Sequence, residues 1–374
     1  MRSLLIAFVL GFVISAPSCS QSQPNLQSSK VPLEVKIGQM LTVGFRGMTV
    51  ADTNHIARDI QKYHLGGVVL FDYDVPRGEA KRNIRSPEQL KSLVTQLQEL
   101  AELPLFVTID QEGGKVTRLK PKYGFPETVS AQYLGQLNNP DSTRHYARQI
   151  AQSLSRMGIN MDLAPVVDVN TNPDNPVIGS LDRSFSSDPA IVAEQAALFI
   201  KTLHQYNILS VIKHFPGHGS SKSDSHLGLV DVTDSWSERE LTPYKQLIDS
   251  HLVDAIMTAH IFNARLDSTY PATLSRPTIS GLLRKDLGFE GVVISDDMMM
   301  GAIRKEYGLK TAIYRAIDAD VDILVFGNNS IYDPEIVPKA HRIIKELLQE
   351  GRITREQINR SYERIMALKQ KLAK

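Results

Sequence analysis

From about Val35 onward, short runs of apolar and β-branched residues alternate with longer stretches whose apolar positions recur at helical spacing. Eight of the short runs read as strands: 37–45, 65–71, 103–109, 159–169, 209–214, 254–261, 291–295 and 321–326. Helices are expected between them, over 51–63, 87–100, 142–157, 189–206, 238–250, 279–287 and 311–319. The tail, 335–374, reads as two more helices, with Gly351 as the break and Thr354 as the N-cap of the second. Strands separated one by one by helices make a parallel sheet, and eight is the number that closes into a (β/α)8 barrel. The expected fold is α/β: a TIM-like barrel in a single domain with C-terminal helices. An open doubly wound sheet is the alternative. It is weakened because no Gly-rich dinucleotide fingerprint follows the first strand and no Walker-type loop occurs.

Polar residues gather where the strands end. Asp110 and Glu112 follow the third run, Asp168 closes the fourth, and Lys213 and His214 close the fifth. His260 ends the sixth, and Asp296 and Asp297 follow the seventh. In a barrel these positions share the face on which active sites form. The densest stretch is 209–229, LSVIKHFPGHGSSKSDSHLGL, in which an apolar strand delivers Lys213, three histidines and an aspartate into one loop. Rigid scaffolds keep their chemistry in such loops.

Composition narrows the partners. The 374 residues are 42% hydrophobic and 22% charged, with a formal net charge of +1 and no long run of one sign. A nucleic-acid binder would carry a basic footprint, so a small, neutral substrate is expected, and no nucleic acid. The N-terminus stands apart. Arg2 and the apolar stretch 4–16 have the layout of a signal peptide, and the stretch is too short to span a bilayer comfortably. Cys19, the only cysteine, excludes an internal disulfide. Directly after an apolar stretch it resembles the lipidated residue of a bacterial lipoprotein, although Pro17 departs from that pattern and leaves ordinary secretory cleavage as the alternative. The expected organisation is a signal peptide over 1–19, a polar Ser/Gln/Pro-rich linker over 20–33 and the barrel over 34–374. Export to the periplasm or outer surface follows, with a membrane contact only through a lipid at Cys19.

Two chemistries compete for the strand ends. His214, His218 and His226 could hold a metal, but Pro216 and Gly217 break the helix that a four-residue spacing needs. No HExxH motif occurs either. No metal and no cofactor are expected. Glycoside hydrolysis needs one carboxylate to attack the anomeric carbon and a second group to protonate the departing oxygen. Asp296, at a strand end, suits the first role, with Asp297 as its competitor by proximity. Asp224-Ser225-His226 suits the second: in an extended Asp-x-His the two side chains point the same way, so the carboxylate can orient the imidazole. Spacing alone leaves open that Asp224 caps a turn and His226 is a packed surface residue.

Several long motifs bear on that choice. KHFPGHGSSKSDSHLGL (213–229), IDQEGGKVTRL (109–119), LAPVVDVN (163–170), RSFSSDP (183–189) and VVISDDMMMGAI (292–303) occur in this order. Together they resemble glycoside hydrolase family 3, in the β-N-acetylglucosaminidase branch often called NagZ. The resemblance implies a metal-free barrel and a retaining double displacement through a covalent glycosyl-enzyme. It implies Asp296 as nucleophile, His226 as acid/base and Asp224 as its partner, with Asp110, Arg118, Arg183, Lys213 and His214 holding the sugar hydroxyls. Such residues suit a neutral sugar, which is gripped by charge-assisted hydrogen bonds.

Two positions depart from the family pattern: Lys115 replaces a usual arginine, and Ser220-Ser221-Lys222 stands where an acidic residue or threonine is frequent. The second bears on the group beyond the scissile bond. Met298, Met299 and Met300 are expected to pack behind the site, with lining an acetamido pocket as the alternative. The function implied is exo-acting β-N-acetylhexosaminidase activity on cell-wall muropeptides or chitin-type oligosaccharides. The alternatives are a β-glucosidase-like or phosphorolytic enzyme on the same barrel, and a silent sugar-binding lipoprotein.

Overall fold

A computed structural model describes residues 30–50, 55–80, 82–225 and 228–373; residues 1–29, with Cys19, and residues 226–227 lie outside the described residues. From Pro32 the chain forms one unit, built on eight parallel strands. They are β1 (Leu41–Gly44), β2 (Gly67–Leu70), β3 (Phe106–Ile109), β4 (Met161–Asp162), β5 (Leu209–Phe215), β6 (Ala255–Thr258), β7 (Val292–Ile294) and β8 (Leu324–Phe326). Each strand lies beside the next in the chain, and β8 returns to β1 with Leu41 opposite Leu324. The seam between β7 and β8 closes through a bridge from Ile294 to Ile323 and through bonds from Ser295 N to Ile323 O (2.8 Å) and Met298 N to Val325 O (2.9 Å). The expected barrel is present.

Helices fill the intervals: α1 (Leu33–Gln39), α2 (His55–Tyr63), α3 (Pro87–Glu99), α4 (Ala131–Leu137), α5 (Pro140–Met157), α6 (Pro189–His204) and α7 (Thr242–Asp249). A π-type helix spans Pro277–Asp286, and α8 (Gly301–Tyr307), α9 (Leu309–Asp318), α10 (Ile336–Gln349) and α11 (Arg355–Gln370) complete the set. All eight barrel strands are buried along their whole length, as expected of a parallel sheet covered by helices. One continuous core includes Val43, Val68, Val107, Val211, Ile256, Val293 and Phe326. Each such side chain contributes about 1.5–3 kcal/mol by leaving water. The start of α11 follows expectation: Thr354 Oγ1 accepts from Gln357 N (3.3 Å) and Gln357 Oε1 accepts from Thr354 N (2.8 Å), a capping box.

Three local readings are corrected. Residues 33–39 form helix α1, so the first strand is confined to Leu41–Gly44. Alternation over Leu33, Val35 and Ile37 has strand period, but the segment docks on α11, with Lys36 Nζ bonded to Asn359 Oδ1 at 2.7 Å. The fourth strand pairs only over Met161–Asp162 before an isolated bridge from Val166 to Lys213, because Pro165 between them has no N–H to give the ladder. Helix α4 went unread; its N-cap Ser130 accepts from Tyr133 N at 3.2 Å, and Gly135 packs directly on the Phe185 carbonyl.

Candidate active site

The site is assembled at the C-terminal ends of the strands. After β3 the chain turns through Asp110–Leu119, and Gln111 staples that turn. Its Oε1 accepts from Arg118 N (3.0 Å) and Leu119 N (2.9 Å), while its own N–H bonds Asp162 Oδ1 (3.0 Å). The staple brings Arg118 back over Asp110, where Nη2 meets Oδ2 at 3.1 Å. From β5, Lys213 reaches across: its Nζ stands 2.7 Å from Asp110 Oδ1 and 2.7 Å from Glu112 Oε1. Glu112 in turn receives Arg183 in bidentate fashion, at 2.8 and 2.7 Å. Arg183 comes from the long connection after β4 and is steadied by its bond to the Val177 carbonyl (2.8 Å).

Beside this chain of charges lies a second network. Asp168, fully buried just past the Val166 bridge that follows β4, accepts from His214 Nδ1 (2.7 Å), His214 N (3.2 Å) and His218 N (2.7 Å). The two networks touch where Arg183 Nη2 approaches His214 Nε2 at 3.4 Å. Burial raises the carboxyls of Asp110, Glu112 and Asp168, yet each stays below the usual range: Lys213 and Arg118 offset it at Asp110, Arg183 and Lys213 at Glu112, and His214 at Asp168. Burial lowers Lys213, but Asp110 and Glu112 outweigh it and raise the ammonium. Three carboxylates thus face three fixed cations. Charged groups of this kind can also form charge-assisted hydrogen bonds to hydroxyls and amides.

Asp296 and Asp297 follow β7 and part ways. The Asp297 carboxylate turns into the fold: Oδ1 accepts from Met299 N (2.9 Å) and Gly327 N (2.8 Å), and its carbonyl meets His260 Nε2 at 3.0 Å. Asp296 Oδ1 accepts the Asp297 N–H (2.7 Å), and Asp296 lies near enough to His218 for its charge to favour the protonated imidazole. Burial and His214 nevertheless lower His218 to about 4, so it is neutral at neutral pH. Asp296 therefore borders the His214–His218 side of the mouth, whereas Asp297 is a structural brace. Met298, Met299 and Met300 are buried, the first two in the barrel core.

Asp224 is described and half-buried; His226, expected as its partner, lies outside the described residues. The loop that carries them is held at both ends. Its root is bound by Asp168, by Trp236 Nε1 to Pro216 O (3.1 Å) and by Asn175 Nδ2 to His218 O (2.7 Å). Its return, Val230–Asp231, pairs in parallel with Ile261–Phe262 over a small satellite core containing Val232 and Trp236. Of the positions that depart from the family pattern, Lys115 points outward and pairs with Asp182 (2.8 Å), next to Arg183. Ser220 and Lys222 line a cleft of about 500 Å³ with Thr171, Asn172, Asp174 and Ser235. Among the described residues no cluster of His, Cys, Asp or Glu has the arrangement of a metal site.

Asp110, Arg118, Arg183, Lys213 and His214 are thus brought into one connected network. Glu112, Asp168 and His218 belong to it too; the sequence offers His218 only as a rejected metal ligand and the two carboxylates only as strand ends. Glu112 and Asp168 carried a legible signal as polar strand ends; what joins Glu112 to Arg183 across 71 residues is tertiary.

This is a (β/α)8 barrel whose mouth carries a network of paired charges, with Asp296 following the seventh strand. The Glycosyl hydrolase family 3 N terminal domain matches residues 32–368, and the chain belongs to that family. It is 33% identical over 346 residues to "Beta-hexosaminidase LpqI" of Mycobacterium tuberculosis, covering 89% of this chain and 82% of the relative. It is 33% identical over 343 residues to "Beta-hexosaminidase A" of Pseudoalteromonas piscicida, covering 84% of this chain but 54% of that protein. A solved family 3 β-N-acetylglucosaminidase from Paenibacillus sp. str. FPU-7 superposes with a TM-score of 0.84 at 34% identity, covering 92% of this chain and 63% of the other. The chain therefore spans little more than half to under two thirds of the length of those last two proteins.

Proposed function

We propose that the protein is a retaining β-N-acetylhexosaminidase that removes terminal β-linked N-acetylglucosamine. The observation that carries this reading is the continuous network from Arg118 through Asp110, Lys213 and Glu112 to Arg183, which meets His214 on the side where Asp296 acts on His218. The names of the relatives support it. In the first half-reaction the Asp296 carboxylate forms a bond to the anomeric carbon as the glycosidic C–O bond breaks. The departing oxygen takes a proton from His226, which Asp224 orients. In the second, His226 takes a proton from water as the water oxygen attacks the same carbon, and Asp296 leaves as a carboxylate. Asp110, Arg118, Arg183, Lys213 and His214 hold the sugar throughout. The signal-like N-terminus supports export and lipid attachment at Cys19; an exported enzyme of this kind would meet cell-wall muropeptides or chitin-type oligosaccharides.

The test is hydrolysis of a chromogenic N-acetyl-β-glucosaminide by the wild type, Asp296→Ala and His226→Ala, with EDTA and azide present. The reading expects wild-type turnover despite EDTA and collapse of both variants. Azide should rescue Asp296→Ala with formation of the inverted glycosyl azide. A wild type inert on N-acetylated and plain glycosides alike would overturn it. Loss of radiolabelled palmitate in Cys19→Ser tests the anchor.

A further inference from the structure

Glu240 lies directly beneath the loop that leads to Asp224. It sits in the short turn Glu238–Leu241 that runs into α7, and it is wholly buried. Its Oε2 accepts from Gly219 N at 3.0 Å and from Ser220 N at 3.3 Å. The fit is close. A Cβ on Gly217, whose φ is +118°, would stand 2.6 Å from Glu240 Cβ, and one on Gly219 would run into the Val169 carbonyl. Asp168 secures the same loop one step earlier through His218 N. Two carboxylates on different elements therefore grip the root of one loop, and the chain leaves this grip at Ser221, three residues before Asp224.

Burying a carboxylate is costly where a neutral amide could accept the same two hydrogen bonds. A charge retained here makes both bonds charge-assisted, and so stronger than an amide could make them. Building on the reading of Asp224 and His226 as the acid/base pair, we propose that Glu240 is a positioning residue for proton transfer: its carboxylate, through Gly219 and Ser220, fixes the root of the loop that carries the pair. Burial lifts the Glu240 carboxyl to about 7; the hydrogen bonds from Ser220 and Gly219 lower it and the Asp168 charge raises it further. The titratable groups around it are Asp168 from the segment that follows β4, held ionised; Tyr244 from α7, kept protonated by burial; and His218 on the loop, kept neutral by burial. The grip strengthens as Glu240 ionises, so aglycone protonation acquires a pH dependence near neutrality that belongs to neither Asp296 nor His226.

Glu240→Gln in the full chain keeps the shape and an acceptor oxygen and removes the charge. Two substrates are compared on one preparation: 4-nitrophenyl N-acetyl-β-glucosaminide, whose leaving group needs little protonation, and N,N′-diacetylchitobiose, whose leaving alcohol needs it fully. Their rate ratio does not depend on how much of the variant is folded. The expected result is a kcat on chitobiose lowered about tenfold more than on the nitrophenyl substrate, with KM little changed. The pH dependence of the ratio around 7 should flatten. Amide hydrogen exchange over 217–225 should speed up at pH 8 in the variant and differ less at pH 6. An unchanged ratio, with equal exchange in the two proteins, would overturn the proposal. A wild type inert on both sugars would sink the hexosaminidase reading instead, and hydrogen exchange would still decide whether Glu240 holds the loop.

Discussion

Lys213 Nζ donates to Asp110 Oδ1 across 2.7 Å, tying β5 to the end of β3 over 103 positions of sequence. Both partners also hold a second opposite charge, Glu112 for Lys213 and Arg118 for Asp110, so the pair is the middle of a chain of charges. Buried ion pairs add little net stability when whole, because desolvation offsets their attraction. They are costly to break, since one partner is left charged and dry.

Lys213→Met should lower unfolding free energy by about 1.5–3 kcal/mol, because Asp110 keeps Arg118 and Glu112 keeps Arg183 but each loses a charge-assisted bond. Urea denaturation at neutral pH measures it. A loss below about 0.5 kcal/mol would mean that Arg118 and Arg183 alone satisfy the two carboxylates.

The adjacent aspartates should separate cleanly. Asp296→Asn is expected to reduce kcat by at least about a thousandfold with little change in melting temperature. Asp297→Ala leaves the N–H groups of Met299 and Gly327 unbonded and should cost about 2–4 kcal/mol of stability. Turnover and thermal melts of both variants test the assignment, and the reverse pattern would exchange the two roles.

Arg183→Lys keeps the charge but cannot span both oxygens of Glu112 with a planar fork. The expected outcome is a KM for an N-acetylglucosaminide raised about tenfold, with kcat falling less, equivalent to about 1.4 kcal/mol of binding. Michaelis curves for the two proteins read this directly; an unchanged KM would remove Arg183 from sugar binding.

Lys369 gives a stability signature. It comes from α11 into the barrel floor, where Nζ bonds Gln39 Oε1 (2.6 Å) and the Gly66 carbonyl (3.0 Å), and burial lowers its ammonium to about 7. The unfolded chain keeps this proton up to about pH 10.4. Between those values the unfolded state binds more protons, so this group raises stability with pH by up to about 1.4 kcal/mol per unit. Below pH 7 both states are protonated and its contribution is flat. Denaturant midpoints of Lys369→Met and wild type, compared from pH 6 to 10, should converge or cross in the direction that favours wild type at high pH. A constant difference would refute the shift.

Strand count, helix order and the polar strand ends were legible because each depends on short-range pattern: apolar runs of strand length, then a charged residue where the run stops. The tail helices were legible because Gly351 and Thr354 are local punctuation. Helix α1 was not, since three alternating apolar residues have strand period until α11 supplies a surface that rewards a helix. The limits of β4 turned on Pro165, whose missing N–H matters only once a neighbouring strand is in place. Asp297 and Glu240 escaped assignment for a related reason. Their partners are backbone N–H groups, and no side-chain pattern announces those.

The seam between β7 and β8 has a consequence for the life of the molecule. Asp297, next to Asp296, is braced by Gly327 at the end of the last strand, and that strand lies against the first. A nascent or nicked chain whose last strand has not docked lacks that brace, so the turn that carries Asp296 and Asp297 is fixed only with ring closure. The barrel thus serves as its own checkpoint: the backbone at Asp296 is set only when the first and last strands have met.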